Sequence, residues 1–467
     1  MMRLSKPAPL LVAMICMVAN GRGFAAAPEE WYAPLPHNGQ VSELARWWEQ
    51  FDDPLLSELI AAGQRVSPSI AEAQSRIVES RTARVAAGAA LLPNLDALAQ
   101  GTRGRQEVDG LLTTSDLRQV QLSWELDVFG ANRANRTASQ ARLDAAYAAW
   151  HEARVSVAAE IAASYVQLRA CQALLQETER DAASRAETSR LTELSARSGL
   201  QSSSSAALAR ASAAQGNSVL TQQRVDCERQ VKALVALVDI DEPTLREKLQ
   251  SRSARIPRPS EIAVLDVPAA ALAQRPDVYA AARELVAASA DLRRADAARY
   301  PRISLTGRIG SGHVEATAGE ASGTTWSVGP VTVSIPLFDG GRRRAETEAA
   351  RARQETSIVA YNAKIRAAVK EVEDTLLRLQ GAAERSPDVE RAANDFETSL
   401  QAANTRYQRG LANLFELESA RRDAVHGRTA LIELERERVY AWIALYRALG
   451  GGWSMSDDAL RTAQAGN

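Results

Sequence analysis

Between residues 131 and 198 the chain has neither glycine nor proline, and its apolar positions step by three, four or seven, as at Ile161, Leu168, Cys171 and Leu175. After Gly199 the same spacing returns in Cys227, Val231, Leu234 and Val238, and it can run to Glu242 with Gly216 as the one interruption. The pattern predicts two antiparallel helices sharing a coiled-coil seam, the first about 100 Å long at ~1.5 Å per residue. A shorter period governs 120–128, 303–309 and 331–335, where apolar residues fall on every second position. Such alternation predicts strands with one wet face. Stretches rich in Gly, Ser, Thr and acid, 103–116 and 310–325, are expected as the loops between paired strands. Ahead of each pair the sequence predicts a helix, 54–90 and 268–299, ended by Pro93 and Pro301.

These elements occur twice. Leu92-Pro93-Asn94-Leu95 recurs as Tyr300-Pro301-Arg302-Ile303, offset by 208. Phe129-Gly130 with Arg133 recurs as Asp339-Gly340-Gly341 with Arg344, and Ser198-Gly199-Leu200 as Arg409-Gly410-Leu411, both offset by 211. The chain therefore reads as a repeat. The first unit is 54–242, with a strand pair at about 94–128 and a helical hairpin at 131–242. The second is 266–450, with a pair at about 302–335 and a hairpin at 342–449, a linker at 243–265 and a tail at 451–467. In the second hairpin helices are expected over 342–380, 388–409 and 411–449, with a kink at Pro387.

Composition narrows the class. With 46% hydrophobic and 24% charged residues the chain can bury a core, which excludes disorder. Lys and Arg total 56 against 57 Asp and Glu, so the basic excess of a nucleic-acid binder is missing. Past residue 30 no run approaches 18 apolar residues, which excludes a membrane-spanning helix but not a β-barrel. Arg3 and Lys6, an apolar stretch and small residues around 23–27 predict an export signal over 1–27, followed by an extended segment, 28–53. A lipoprotein cut before Cys16 fits less well, because bulky Ile15 stands where such signals have a small residue. Four strands cannot close a membrane barrel, for which eight is the smallest single-chain number. Two hairpins of ~100 Å cannot make a compact domain either. Both deficits vanish if several chains pool strands and helices, so the reading is an oligomeric conduit.

Other chemistry is sparse. Gly307-x-x-Gly310-x-Gly312 lacks the spacing of a dinucleotide fingerprint. His37, His151, His313 and His426 are dispersed, so no metal, cofactor or catalytic constellation is expected. Met455 is the only methionine after the signal, which argues against a copper or silver specialist. Trp124, Phe129, Trp326 and Phe338 at expected strand ends read either as an interfacial girdle or as filling for a strand-to-helix junction.

Five motifs in order carry a resemblance. They are Trp47-Trp48-x-x-Phe51-x-Asp53-Pro54-x-Leu56, Gln274-Arg275-Pro276-Asp277-Val278, Tyr300-Pro301-Arg302-Ile303-Ser304-Leu305, Pro336-Leu337-Phe338-Asp339-Gly340-Gly341-Arg342 and Arg406-Tyr407-x-x-Gly410. With these the chain resembles the outer membrane factor family, the TolC-like efflux proteins, in its multidrug-pump branch. The resemblance implies an α+β membrane protein in the outer membrane: a homotrimer with a twelve-stranded β-barrel in outer membrane lipid, continued by a periplasmic α-helical barrel. It implies no enzyme and no cofactor, but an exit duct docked to a periplasmic adaptor and a proton-driven inner membrane pump. A duct for type I protein secretion is the alternative; an adaptor or a purely structural coiled coil fits less well, having one hairpin or no strands. The resemblance also implies a closed end at the hairpin tips, Ser198-Gly199-Leu200 and Arg409-Gly410-Leu411, which meet the adaptor. Tyr407 and Glu416 match positions that narrow that end. Another acid position of the family is Ser419 here, with Glu418 beside it, and Ser202 to Ser205 stand where some relatives have an aspartate. The bland reading is that Glu416 and Glu418 only solvate a helix.

One expectation comes from arithmetic alone. Cys171 and Cys227 lie 28 residues on either side of Gly199, so an antiparallel hairpin turning there sets them face to face. Packed helix axes ~8–10 Å apart leave facing Cα atoms about 4–5 Å apart, near the reach of a disulfide. An oxidising periplasm would preserve the bond.

Overall fold

The computed structural model describes residues 44–105, 112–259, 272, 275–316 and 319–453. The export signal, Cys16, Gln274, most of the expected extended segment and the tail beyond Trp453 lie outside the described residues. Part of that segment is instead a 3₁₀ helix, Leu44–Phe51, which buries Trp47 and Phe51. The expected helix over 54–90 is two helices, α1 (Pro54–Val66) and α2 (Pro68–Ala89). Pro68 is the reason: it has no N–H to continue a helix and it holds Ser67 extended, yet it suits the first turn of the next helix.

After strands β1 (Asn94–Arg105) and β2 (Leu112–Leu126) comes α3 (Ala131–Arg197), 67 residues long, then α4 (Ser203–Val238). The return helix stops at Val238 rather than Glu242, because Asp239 turns left-handed at φ 52° and a short helix, α5 (Glu242–Gln250), begins in the expected linker. The second set is α6 (Pro276–Ala297), β3 (Arg302–Ala316), β4 (Gly319–Ser334), α7 (Arg342–Gln408) and α8 (Leu414–Ala448). α2 and α6 have 22 residues each, and α3 and α7 have 67 each. α7 runs unbroken through Pro387, where the sequence predicted separate helices. Pro387 and Ala383 are both exposed, so water can take the carbonyl that the proline leaves free.

Each long helix starts the same way. Gly130 (φ 81°) and Gly341 (φ 88°) turn the chain out of the sheet in a conformation that favours glycine. Asp127 then accepts from the backbone N–H groups of Asn132 and Arg133, each at 2.9 Å. Asp339 does the same for Gly341 and Arg343, at 3.1 and 3.3 Å.

The strands form one antiparallel sheet in the order β1-β2-β3-β4. They run deep into the stretches expected as loops, leaving connections between Arg105 and Leu112 and between Ala316 and Gly319. Register sorts the two faces. Leu126, Ile303 and Val333 lie opposite one another on one face, and so do Val120, Ile309 and Trp326 further along. Leu122 and Val328 flank Gly307 between them. This apolar band spans about 20 Å along the strands at ~3.3 Å per residue. Beyond it the same face turns polar with Arg118, Ser311 and Thr324, and the opposite face carries Gln119, Gln121, Ser304, Thr306 and Arg308. Trp326 therefore sits inside a strand, not at its end. Trp124 ties the sheet to the turn after α2 by donating to the Leu91 carbonyl at 3.1 Å, and Phe129 stacks on Tyr300 at the junction. Among the described residues, β1 and β4 each have a neighbour on one side only, and no helix is long and apolar enough to cross a membrane.

The largest core lies midway along the hairpins, where Tyr165 and Leu168 of α3 meet Leu234, Leu376, Trp442 and Leu445. Two buried arginines fasten it. Arg169 donates to the Leu249 and Ser251 carbonyls at 2.8 and 2.9 Å. Arg275 grips Asp277 through two bonds, 3.0 and 2.7 Å, and reaches the Ala448 carbonyl at 2.8 Å. Burial alone would raise the Asp277 carboxyl, but Arg275 and Lys364 outweigh it and hold the group below the usual carboxylate range.

Candidate functional site

Both hairpins end in the same turn. Gly199 (φ 73°) and Gly410 (φ 72°) are left-handed, and the N–H groups of Leu200 and Leu411 reach back to the Ser195 and Arg406 carbonyls at 2.9 and 2.8 Å. Such closures satisfy carbonyls that a helix end would leave orphaned. Ser202 then caps α4 by accepting from Ser205 N, and Asn413 caps α8 by accepting from Glu416 N. Ser198, Leu200, Arg409 and Leu411 are exposed at these tips, Leu200 at 80% and Leu411 at 66%. Exposed leucines at both turns are apolar surface that the chain itself leaves uncovered.

The expected narrowing residues separate into two groups. Glu416 and Ser419 are exposed on the first turns of α8, and Glu416 pairs with Arg406 at 3.4 Å, closing the tip of its own hairpin. Tyr407 is half-buried, and its hydroxyl meets that of Thr192 at 2.9 Å, joining the second hairpin to the first. Glu418 departs from the expectation. It is 5% exposed and neither lines an opening beside Glu416 nor solvates its helix. Ser212 donates to it at 2.7 Å, Arg185 lies at 3.3 Å, and Arg421 pairs with it directly. Arg421, 3% exposed, reaches Thr188 at 2.9 Å and Ser184 at 3.1 Å. Burial pulls the Arg421 guanidinium below its usual range, while Glu418 and Asp181 pull it back up. Sequence reasoning missed Arg185 and Ser212, because these partners of Glu418 come from α3 and α4, more than 200 residues away, and it missed Arg421 as well. The only local signal was the spacing of three between Glu418 and Arg421.

Further up, Cys171 and Cys227 are joined, with Cα atoms 5.5 Å apart. Between this bond and the tip, Gly216 lets α4 approach α3 closely: a Cβ there would lie 2.8 Å from the Arg185 side chain and 3.5 Å from the Ala182 Cα. Gly427 of α8 repeats the crossing over Ala393 of α7, at 3.1 Å.

With this geometry in hand, the chain can be compared with known proteins. It is similar to the outer membrane protein OprJ of Pseudomonas aeruginosa, 28% identical over 95% of each chain. It is also similar to the toluene efflux pump outer membrane protein TtgI of Pseudomonas putida, 28% identical over 93% of this chain and 94% of that one. Among solved structures, the outer-membrane channel OprN superposes with a TM-score of 0.84 at 26% identity, covering 94% of this chain and 100% of that one. The outer membrane protein VceC of Vibrio cholerae superposes with a TM-score of 0.76, also at 26% identity, covering 89% of this chain and 100% of that one. Residues 60–238 and 267–451, together most of the chain, match the family described as outer membrane efflux protein. The chain belongs to the outer membrane efflux protein family.

Proposed function

We propose that this outer membrane efflux protein is the exit duct of a tripartite efflux system, conducting passively what a periplasmic adaptor and a proton-driven inner membrane pump deliver. One observation carries the reading: a four-stranded sheet, with an apolar band on one face and a polar opposite face, has two open edges among the described residues and continues into hairpins about 100 Å long. An open edge in lipid leaves backbone groups unsatisfied, so the edges must pair. Three copies joined edge to edge make a barrel of twelve strands, above the minimum of eight, with the apolar band toward lipid and the polar face toward a wet lumen. The hairpins of the trimer then enclose a periplasmic tunnel. Its mouth is the level of Tyr407, Glu416 and Ser419, and the exposed tip leucines, Leu200 and Leu411, meet the adaptor.

The test is the state of the protein in the envelope. A trimer that migrates differently before and after heating, found in the outer membrane fraction, is expected, and deletion should sensitise cells to amphipathic toxins. A monomer in mild detergent, or protein absent from membranes, would overturn the proposal.

A further inference from the structure

Charge is unevenly placed along the chain. The net charge is −1, yet the start of α3, 131–143, contains three arginines and no acid, and the start of α7, 342–354, contains five arginines and two acids. Both stretches begin where strands end, at the edge of the apolar band. The arginines of α3 do not all face the same way. At about 100° per residue, Arg133, Arg136, Thr137, Gln140 and Asp144 share one face of the helix, and Ala131 and Asn135 lie on the opposite one. The second face borders a cleft with Glu125 and Arg302, whose register puts them on the polar side of the sheet. The first borders a separate cleft of about 490 Å³ with Leu91, Arg283 and Val286. Leu91 accepts from Trp124, which stands in register with Leu305 on the apolar side. Arg133, Arg136 and Arg283 are therefore on the side of the molecule that carries the apolar band.

This cleft has cationic donors to spare. Arg133 is held by Asp127 and the Val128 carbonyl, but its side chain is largely exposed. Arg136 is exposed and has no hydrogen bond or ion pair among the described residues. Arg283 lies over the Tyr279 ring at 4.9 Å with Asp144 at 4.0 Å, and its buried Nε has no hydrogen-bond partner. Asp144 is the one acid among the lining residues, and it already accepts from Gln140 at 2.7 Å. Three guanidinium groups against one carboxylate call for an anion. The upper border is apolar, with Leu91 and exposed Leu92 leading to Leu126. A soluble anion gains nothing from that border, whereas a phospholipid carries its phosphate next to two acyl chains. The guanidinium fork also matches phosphate oxygens. Depth agrees: Arg136 lies about 8 Å below the start of α3 at ~1.5 Å per residue, and the headgroup layer of one leaflet is about 5–8 Å deep.

Resting on the reading that the apolar band faces lipid, we propose that this cleft binds the phosphate of a phospholipid in the periplasmic leaflet of the outer membrane, one lipid per chain. Arg136 and Arg283 grip the phosphate oxygens, Arg133 adds positive charge at the rim, and the acyl chains lie along Leu91, Leu92 and Leu126. The second unit does not repeat the site, since the counterpart of Arg136 is the buried Thr347. The bound lipid fixes the height at which the sheet meets the membrane boundary.

The test titrates the detergent-solubilised full-length protein with phosphatidylglycerol and counts bound lipids by native mass spectrometry. Three tightly held lipids per trimer are expected. Arg136→Gln breaks no contact within the chain and should weaken their binding about tenfold; Arg136→Lys, which keeps the charge without the fork, should weaken it less. If Arg136→Gln fails to assemble, Arg136→Lys carries the same test. Arg302→Gln removes an arginine from the cleft on the polar side and should change nothing. Equal weakening by Arg302→Gln would reveal diffuse attraction to a basic surface and overturn the site, as would parental affinity in the Arg136 variants. Glycerol phosphate, a headgroup without chains, should bind far more weakly than the lipid; equal binding would make the occupant a soluble anion and overturn the lipid assignment. A trimer from the outer membrane that holds no lipid overturns this site and leaves the duct standing, whereas protein that forms no such trimer overturns the duct and the lipid site with it.

Discussion

Twenty-eight residues before its turn glycine the first hairpin has Cys171, and twenty-eight after it Cys227; at the same distances from Gly410 the second has Ala382 and Arg438. Closer to the tips the two agree in backbone. The left-handed turns, the carbonyl closures, the side-chain caps and the crossings of Gly216 and Gly427 all recur at the same register. They part again in polar groups, since Tyr407 and Glu416 have Ala196 and Ser205 as their counterparts. The duplication has kept what the backbone cannot do without and let side-chain fastenings diverge. One hairpin has become covalently rigid, and the other carries the groups proposed to line the mouth.

The largest expected effect lies at the unmatched rung. Replacing Cys171 and Cys227 by serine should lower stability by about 4 kcal/mol, since the bond closes a loop between residues 56 apart. Denaturant midpoints check this, and thiol labelling of the unfolded, unreduced protein should find no free thiol from this pair. The reciprocal change, Ala382→Cys with Arg438→Cys, should form a second bond; two free thiols there would show that the hairpins are not equivalent frames.

The helices that enter each unit give a second contrast, Ser67 and Ser69 about the start of α2 against Arg275 and Asp277 about the start of α6. Arg275→Met should cost about 3 kcal/mol, because it leaves Asp277 buried with Lys364 as its remaining cation. Ser67→Ala should change stability by less than about 0.5 kcal/mol. The pH dependence follows from the sign of the Asp277 shift. Its carboxyl is lower in the fold than in the unfolded chain, so its contribution is present above about pH 4 and is lost as pH falls through the folded value. Asp277→Asn should flatten that acid limb; an unchanged limb would assign it to other carboxyls.

The smallest effect on stability is expected at the tip. The Glu416–Arg406 pair is about half exposed and contributes under about 1 kcal/mol. Its influence should appear in selectivity. In the proposed trimer three symmetry-related carboxylates would meet at a narrow mouth and favour cations, so Glu416→Ala should lower cation selectivity and Ser205→Glu, its counterpart, should raise it. If neither changes, the narrowest point is not at this level.

Long-range architecture was legible in the sequence because it depends on spacing. Helix α3, the turns at Gly199 and Gly410, and the facing of Cys171 and Cys227 all followed from counting, whereas Gly381 and Pro387 made α7 read as two helices. What escaped depended on partners distant in the chain or on residues without contrast. The strands beyond Val120 and Ile309 mix Gly, Ser and Thr with charged and amide residues, and Leu112, Leu117 and Val314 are too scattered among them to give a regular alternation. Pro68 was absorbed into a helix because proline both ends one helix and starts the next. Glu418 looked like a surface acid because nothing near it in sequence announced that Arg185 and Ser212 would bury it.

The two one-sided strands also bear on how the protein is made. Among the described residues the outer edges of β1 and β4, strands of 12 and 16 residues, have no strand partner, and any extended chain nearby can add to them. In an aqueous compartment a lone copy would expose those rows together with its apolar band, a combination that favours aggregation. In lipid the same rows would have no water to satisfy them. Neither compartment therefore tolerates a single copy for long, and in the proposed trimer barrel closure and membrane insertion would belong to one event, shared by the chains that enter it together.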